Sequence, residues 1–313
     1  MKNVSVKKIN TYDQSAVDDT IKYIIDNIGG IEKFVKRNTT VFLKANLVNA
    51  MSPNKGGTTH PSVIVAIAKL CKSVGATVIV GDGCAGPNSK RYVNNIYKKC
   101  GYLEMEKVHD IQLNRDLSYS IINYDGAVVK SIPVLNAILN TDTIINVAKF
   151  KSHKYTGFTG ACKNMYGAIP GLVKMRWHQH FPNVDSFALA LHDIHGALDK
   201  IPLHIMDGII GMEGEGPIDG TPINVGVVMA STCYSTLDQI CIKIIDRDPN
   251  DFPTLKDHIH ECKIIGDDIT DIINPNFNCC SPMQQFKVVP NPVARAVFNR
   301  MVKTVTSKKT NPK

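Results

Sequence analysis

The residues best suited to chemistry lie between Asn146 and Pro170, where the chain reads NVAKFKSHKYTGFTGACKNMYGAIP. An apolar start gives way to Lys149, Lys151 and His153, spaced by two, so all three face one side if the strand continues. Cations set side by side repel one another unless an anion sits between them. The run Thr156–Asn164 is too small and apolar for a solvated turn, and its glycines let backbone N–H groups approach a ligand. The segment therefore predicts an anion site. Lys149, Thr159 and Asn164 would bind the substrate there, and Lys151, Lys163 and His153 would carry the chemistry. His153 is the candidate general acid or base, because an unperturbed imidazole titrates near neutrality. Cys162, close to Lys151 and Lys163, reads either as a thiolate of lowered pKa or as a small buried core residue.

These side chains need a scaffold, and alternating strand and helix signals provide one. Apolar residues recur at helical spacing from Val17 to Ile31, a pattern that ends near Gly29-Gly30. A buried strand follows over 40–44. A helix over 61–74 opens at Pro61, with Thr58 or Thr59 as its expected cap. A second strand covers 76–80, and a helix covers 89–101. Residues 126–135 suit a hairpin or edge strand, and 143–149 another buried strand. Beyond the opening motif come a helix at 186–198, a strand at 204–206 ending in an acidic turn, a strand at 225–231 and a helix at 237–245. Such alternation implies an α/β fold, a doubly wound and mostly parallel sheet with helices on both faces.

Ligands of such sheets bind beyond the carboxyl ends of the strands. Those ends bring Lys44 and Asn46 to the substrate-binding group. They also bring Asp82, Asp207 and Glu213, the last in the loop GIIGMEGEGPIDG, as oxygen ligands for a divalent cation. The plainer reading of Asp82-Gly83 and Asp207-Gly208 is as turn residues. His178 and His180 form an H-x-H pair, read as part of a polar surface loop in preference to a metal site. Cys84 carries the same ambiguity as Cys162. There is no Walker loop and no G-x-S-x-G elbow, and no dinucleotide cofactor is expected, although Gly81-Asp82-Gly83-Cys84-Ala85-Gly86 has the G-x-G-x-x-G spacing.

The bulk numbers narrow the classes. The 313 residues are 43% apolar and 20% charged, with a net charge of +8 that sits partly at the two ends. With few aromatics and no recognition motif, nucleic acid is not an expected partner. The chain has no run apolar and long enough to span a membrane, and its first residues have no secretory h-region, so a cytoplasmic protein is expected. Nine cysteines, an odd number without any C-x-x-C, argue against a zinc ribbon or a self-contained iron–sulfur cluster and for reduced thiols. Residues 1–270 read as the α/β domain. Residues 271–313 read as an irregular segment followed by an amphipathic basic helix, which suits docking on its own domain in preference to lying on a membrane surface.

Several of these motifs occur together and in order. Leu43-Lys44-Ala45-Asn46, Thr58-Thr59-His60-Pro61, Gly81-Asp82, the run from Lys149 through Lys163-Asn164 to Gly167, Asp207-Gly208 with Gly214-x-Gly216-Pro217, and Ala230-Ser231 with Leu237-Asp238 resemble the family called domain of unknown function 362. The resemblance spans roughly 40–240. It implies a bacterial or archaeal cytosolic protein, and in many similar proteins an attached ferredoxin-like cluster domain that this chain lacks. Ala45 stands where the family usually has Pro, and Cys233-Tyr234 where Asp-Pro often precedes the Asp238 position.

The favoured function is an enzyme acting on a small carboxylate- or phosphate-bearing substrate, assisted by a divalent metal. Two alternatives stand beside it. One is a redox or iron–sulfur accessory protein that uses Cys84 and Cys162 with a redox partner protein. The other is a non-catalytic anion-binding protein.

Overall fold

The computed structural model describes residues 1–280, apart from the side chains of Leu172, Met175 and Gln179. The amphipathic helix expected after residue 292 lies outside the described residues. In chain order the elements are β1 (Lys2–Lys8), α1 (Gln14–Asp26), β2 (Thr40–Lys44), α2 (Pro61–Ser73), β3 (Thr77–Gly81), α3 (Lys90–Lys99) and α4 (Tyr102–His109). Then follow β4 (Gln112–Leu113), β5 (Tyr119–Asn123), β6 (Ser131–Leu135), α5 (Asn136–Leu139), β7 (Thr143–His153), β8 (Gly157–Phe158), α6 (Gly160–Asn164) and α7 (Gly171–His180). The last described elements are α8 (Val184–Ala197), β9 (Leu203–Glu213), β10 (Thr221–Ser231), α9 (Tyr234–Ile244) and β11 (Cys262–Gly266).

The main sheet runs β11-β1-β10-β9-β7-β2-β3-β4, with β8 turned back onto β7. The pairs β2–β3, β2–β7, β3–β4, β7–β9 and β1–β11 are parallel, while β10 is antiparallel to both β9 and β1. The α/β, mostly parallel reading therefore holds. Period-two alternation places the helices on both faces. On β7, Ile145 and Val147 join one core with α1 and α2, while Ala148 and Phe150 join another with α9. A third core packs Phe42 and Ile144 against Phe187, Leu191 and Ile194 of α8.

Two local expectations change, and the fold adds features of its own. The segment around Asp207-Gly208 is not a strand exit: β9 continues through it to Glu213 and hairpins into β10. The turn signal is overridden because Asp207 is paired in the sheet interior, beside a register shift between β7 and β9. The strand at 225–231 is antiparallel, since a hairpin and not a helix joins it to β9. The cap of α2 is His60, whose Nδ1 accepts from the Ser62 N–H. Thr59 instead accepts from Asn46 N–H at 2.9 Å and donates to the Val147 carbonyl at 3.0 Å, joining two strand ends. Strands β1 and β11 on the sheet's outer side carry weak alternation and are found only in the fold.

The hairpin region is a small antiparallel sheet of β5 and β6, pairing Ile122 with Ile132. Most consequential for the site, β7 overshoots β2 on one side while β9 stays paired with it as far as Lys151. Asn146 pairs with Lys44, the last residue of β2, and β7 then runs on to His153. That overhang carries Lys149, Lys151 and His153 beyond the end of β2.

Candidate functional site

A cavity of about 280 Å³ opens at this rim. Its walls come from the loop after β2 (Asn46, Val48), the loop after β3 (Asp82, Ala85, Gly86) and the β7 overhang (Lys151, His153). Thr159, Lys163, Asn164, Tyr166 and Gly167 add the glycine-rich run, and Gly171, Lys174 and His178 come from α7. Pro217 and Ile218, in the loop that joins β9 to β10, complete it.

Lys151 is 1% exposed. Its Nζ donates to Asn46 Oδ1 at 2.9 Å, to the Gly57 carbonyl at 2.6 Å and to the Pro217 carbonyl at 3.4 Å. These are neutral acceptors. Desolvation, then Lys163, drives the Lys151 pKa well below the usual lysine range. Lys174 donates to the Gly83 carbonyl and is also lowered by burial. Lys163 is half-buried, with its Nζ 5.6 Å from the centre of the Tyr166 ring. Its pKa is pushed down to about 7 by desolvation and then by Lys174. Among the described residues none of these three lysines forms an ion pair with a carboxylate, and Asp82, the carboxylate in the cavity wall, is paired with Lys44, so the pocket carries an excess of positive charge.

The Nδ1 atom of His153 faces the N–H groups of Tyr155 at 3.1 Å and Thr156 at 3.3 Å. Nδ1 is thus an acceptor, which leaves the proton on Nε2. Burial, Lys163 and Lys151 hold its pKa well below the imidazole range. His153 is therefore a neutral donor from Nε2, and the expectation of a histidine titrating near neutrality is corrected. Thr159 is 4% exposed, and its Oγ1 has no hydrogen-bond partner among the described residues.

The amides are committed. Asn46 Nδ2 donates to Asn164 Oδ1 at 2.9 Å, and Asn164 Nδ2 donates to the Lys44 carbonyl at 3.1 Å and to Asn146 Oδ1 at 2.7 Å. Asn46 and Asn164 line the cavity, yet Asn164 has spent its polar groups on holding strand ends together.

Lys44 and Lys149 lie apart from the cavity wall. Lys44 is fully buried and pairs with Asp82 Oδ1 at 2.7 Å, while Asp82 Oδ2 accepts from Leu47 N–H at 2.7 Å. Gly167 rests on this pair, since a Cβ there would stand 2.0 Å from Asp82 Oδ1 and 2.4 Å from Lys44 Nζ. Lys149 pairs with Asp207 Oδ2 at 2.7 Å, and Tyr12 donates to Asp207 Oδ1 at 2.8 Å. Lys149 thus points away from Lys151 in function although it shares its parity.

The expected metal set is likewise dispersed. Asp82 and Asp207 are each neutralised by a lysine, and Glu213 accepts from Asn278 N–H at the far end of β9. No group of three or more metal-ligating side chains forms among the described residues. A carboxylate already bonded to an ammonium is a poor oxygen ligand, so this donor set does not fit one divalent cation.

The remaining candidates are structural. Cys84 and Cys162 are buried and burial raises both thiols, which corrects the lowered-pKa reading. His178 and His180 lie on helix α7, not in a surface loop. His178 lines the cavity and stacks on Phe187, and His180 is exposed. Residues two apart on a helix do not face each other, so the pair is not chelating. Asp238 accepts from the N–H groups of Ala161 at 2.6 Å and Cys162 at 2.9 Å, holding the start of α6. Gly160 (φ 60°) is required there, because a Cβ would meet that carboxylate at 2.4 Å. Sequence reasoning missed Lys174 and Tyr166. The only signal for Lys174 was its place one turn inside a helix that begins just after Pro170.

Comparison with known proteins places the chain as follows. The family described as a domain of unknown function (DUF362) matches residues 41–243. A thylakoid-associated protein of Synechocystis is 29% identical over 258 residues, covering 82% of this chain and 78% of that protein. The lactate racemase apoprotein from Thermoanaerobacterium thermosaccharolyticum is similar in structure at a TM-score of 0.48 and 12% identity. That match covers 78% of this chain and 56% of the racemase chain. No described helix is long and apolar enough to cross a membrane.

Proposed function

This chain belongs to the DUF362 family, and from that premise we propose that it is an enzyme acting on a small carboxylate- or phosphate-bearing substrate in the rim cavity. The observation that carries the reading is the convergence of Lys151, Lys163 and Lys174 on one 280 Å³ space without a carboxylate partner. Three like charges brought together in a poorly solvated cavity cost free energy, which a bound anion offsets. Thr159 Oγ1 and the Nε2–H of His153 supply neutral donors to the same space. Lys151 and Lys174 hold the anion, and Lys163, which titrates near neutrality, is the reacting group.

The dispersed carboxylates give no support to metal assistance, and the buried thiols give none to a redox role for Cys84 or Cys162. All nine cysteines are free, which fits a reducing cytoplasmic location.

Calorimetric titration with sulfate and malonate tests the binding half. One saturable site, lost in Lys151→Gln, is expected, and a protein that takes up neither anion refutes the reading. Nuclear magnetic resonance of the protein mixed with small carboxylates and phosphates tests the catalytic half. Conversion of one compound by the wild type and not by Lys163→Arg is expected. Saturable binding without any conversion would leave the non-catalytic anion-binding reading.

A further inference from the structure

We propose that Lys163 forms an imine with the carbonyl group of a small 2-oxo acid, whose carboxylate is held by Lys151 and Lys174. This rests on the anion-site reading and specifies the substrate class of that site.

The three cavity lysines are not equivalent. Lys151 is anchored on Asn46 Oδ1 and the Gly57 carbonyl, and Lys174 on the Gly83 carbonyl. Each therefore has its charge located by fixed acceptors. Among the described residues Lys163 Nζ has no hydrogen-bond acceptor, and the centre of the Tyr166 ring lies 5.6 Å away. An amine that no acceptor holds in place is the one free to reach a bound carbonyl group. A neutral amine in a cavity is a nucleophile, activated by desolvation and adjacent cations. The lowering of its pKa to about 7 agrees with that geometry.

The anion and the electrophile must then sit on one small molecule. In a 2-oxo acid the carboxylate is bonded directly to the carbonyl carbon, so the groups that fix the anion also bring that carbon to Lys163.

The step balances without an oxidant or reductant. The Lys163 nitrogen adds to the carbonyl carbon, and one of its protons passes to the oxygen, giving a carbinolamine. The Lys174 ammonium supplies the second proton, the C–O bond breaks, and water leaves. The product is an iminium in which the nitrogen keeps one hydrogen, while Lys174 is left neutral.

Reductive trapping tests this. The full chain is treated at pH 7 with pyruvate or glyoxylate and sodium cyanoborohydride, then digested and mapped by mass spectrometry. At that pH an amine of pKa about 7 has a free-base fraction about a thousandfold above that of an ordinary lysine. Lower intrinsic nucleophilicity takes back part of this, so labelling of Lys163 should exceed that of exposed Lys55 on the order of tenfold or more. Sulfate should suppress the labelling of Lys163 and leave Lys55 unchanged. Lys163→Arg should bind sulfate yet form no cavity adduct, which separates loss of the amine from loss of the fold. Labelling of Lys163 no faster than that of Lys55 overturns the proposal. If sulfate still binds the wild type in that case, the imine alone is wrong; if sulfate does not bind, the anion site falls with it.

Discussion

Anion affinity should fall steeply as pH rises through neutrality, and Lys163 sets the size of the effect. In the free protein its ammonium has a pKa near 7, because burial and the Lys174 charge oppose protonation. A bound anion offsets the Lys174 charge and attracts the ammonium, so the complex holds the proton to higher pH. The sign follows from linkage: where the complex binds more protons than the free protein, affinity decreases with pH. If only the protonated form binds, the competent fraction falls from ~0.9 at pH 6 to ~0.01 at pH 9. That is roughly a 90-fold loss, or about 2.7 kcal/mol. Lys151 is lowered as well, by burial and then by Lys163. Sulfate is the probe of choice, since its own charge is constant over this range. Calorimetry in two buffers of different ionisation enthalpy should show proton uptake near pH 8. Lys163→Met should remove this portion of the slope. Sulfate affinity that is flat, or that rises, between pH 6 and 9 would refute the assignment of an uncompensated ammonium to this cavity.

Other outcomes follow from the buried contacts. Lys44→Met leaves Asp82 unpaired in the interior and should cost about 3–5 kcal/mol in denaturant unfolding, whereas Lys44→Met with Asp82→Leu should recover much of the loss. Gly167→Ala forces a Cβ into the same pair, so it should lower Tm and weaken sulfate binding together, read by calorimetry. Asp238→Asn keeps a single oxygen acceptor for two N–H donors and should cost about 1–3 kcal/mol of stability. Tyr12→Phe removes the donor to Asp207 Oδ1 and should cost a similar ~1–3 kcal/mol. Because Tyr12 lies outside the cavity wall, its sulfate affinity should match that of the wild type.

The strands at 40–44 and 143–149 were legible because an unbroken apolar run has few ways to be satisfied except in a sheet covered on both faces. The glycine-rich cationic run was legible because such composition is unusual for a solvated turn. Strand β1, reading KNVSVKK, alternates too weakly against its lysines to declare itself. The hairpin of β9 and β10 was hidden because Asp207-Gly208 carries a turn signal that the parallel pairing with Lys149 overrides.

By itself the amino-acid sequence determined the α/β alternation, the family and the segment in which the cationic site lies, since these depend on local periodicity and composition. Only the tertiary structure decided which charges are free. Lys44 and Lys149 find aspartates at 2.7 Å, while Lys151 finds neutral acceptors and Lys163 none among the described residues. Partners of this kind come from distant parts of the chain. A pKa depends on the distance to those partners and on the loss of water, and neither quantity is written along the chain.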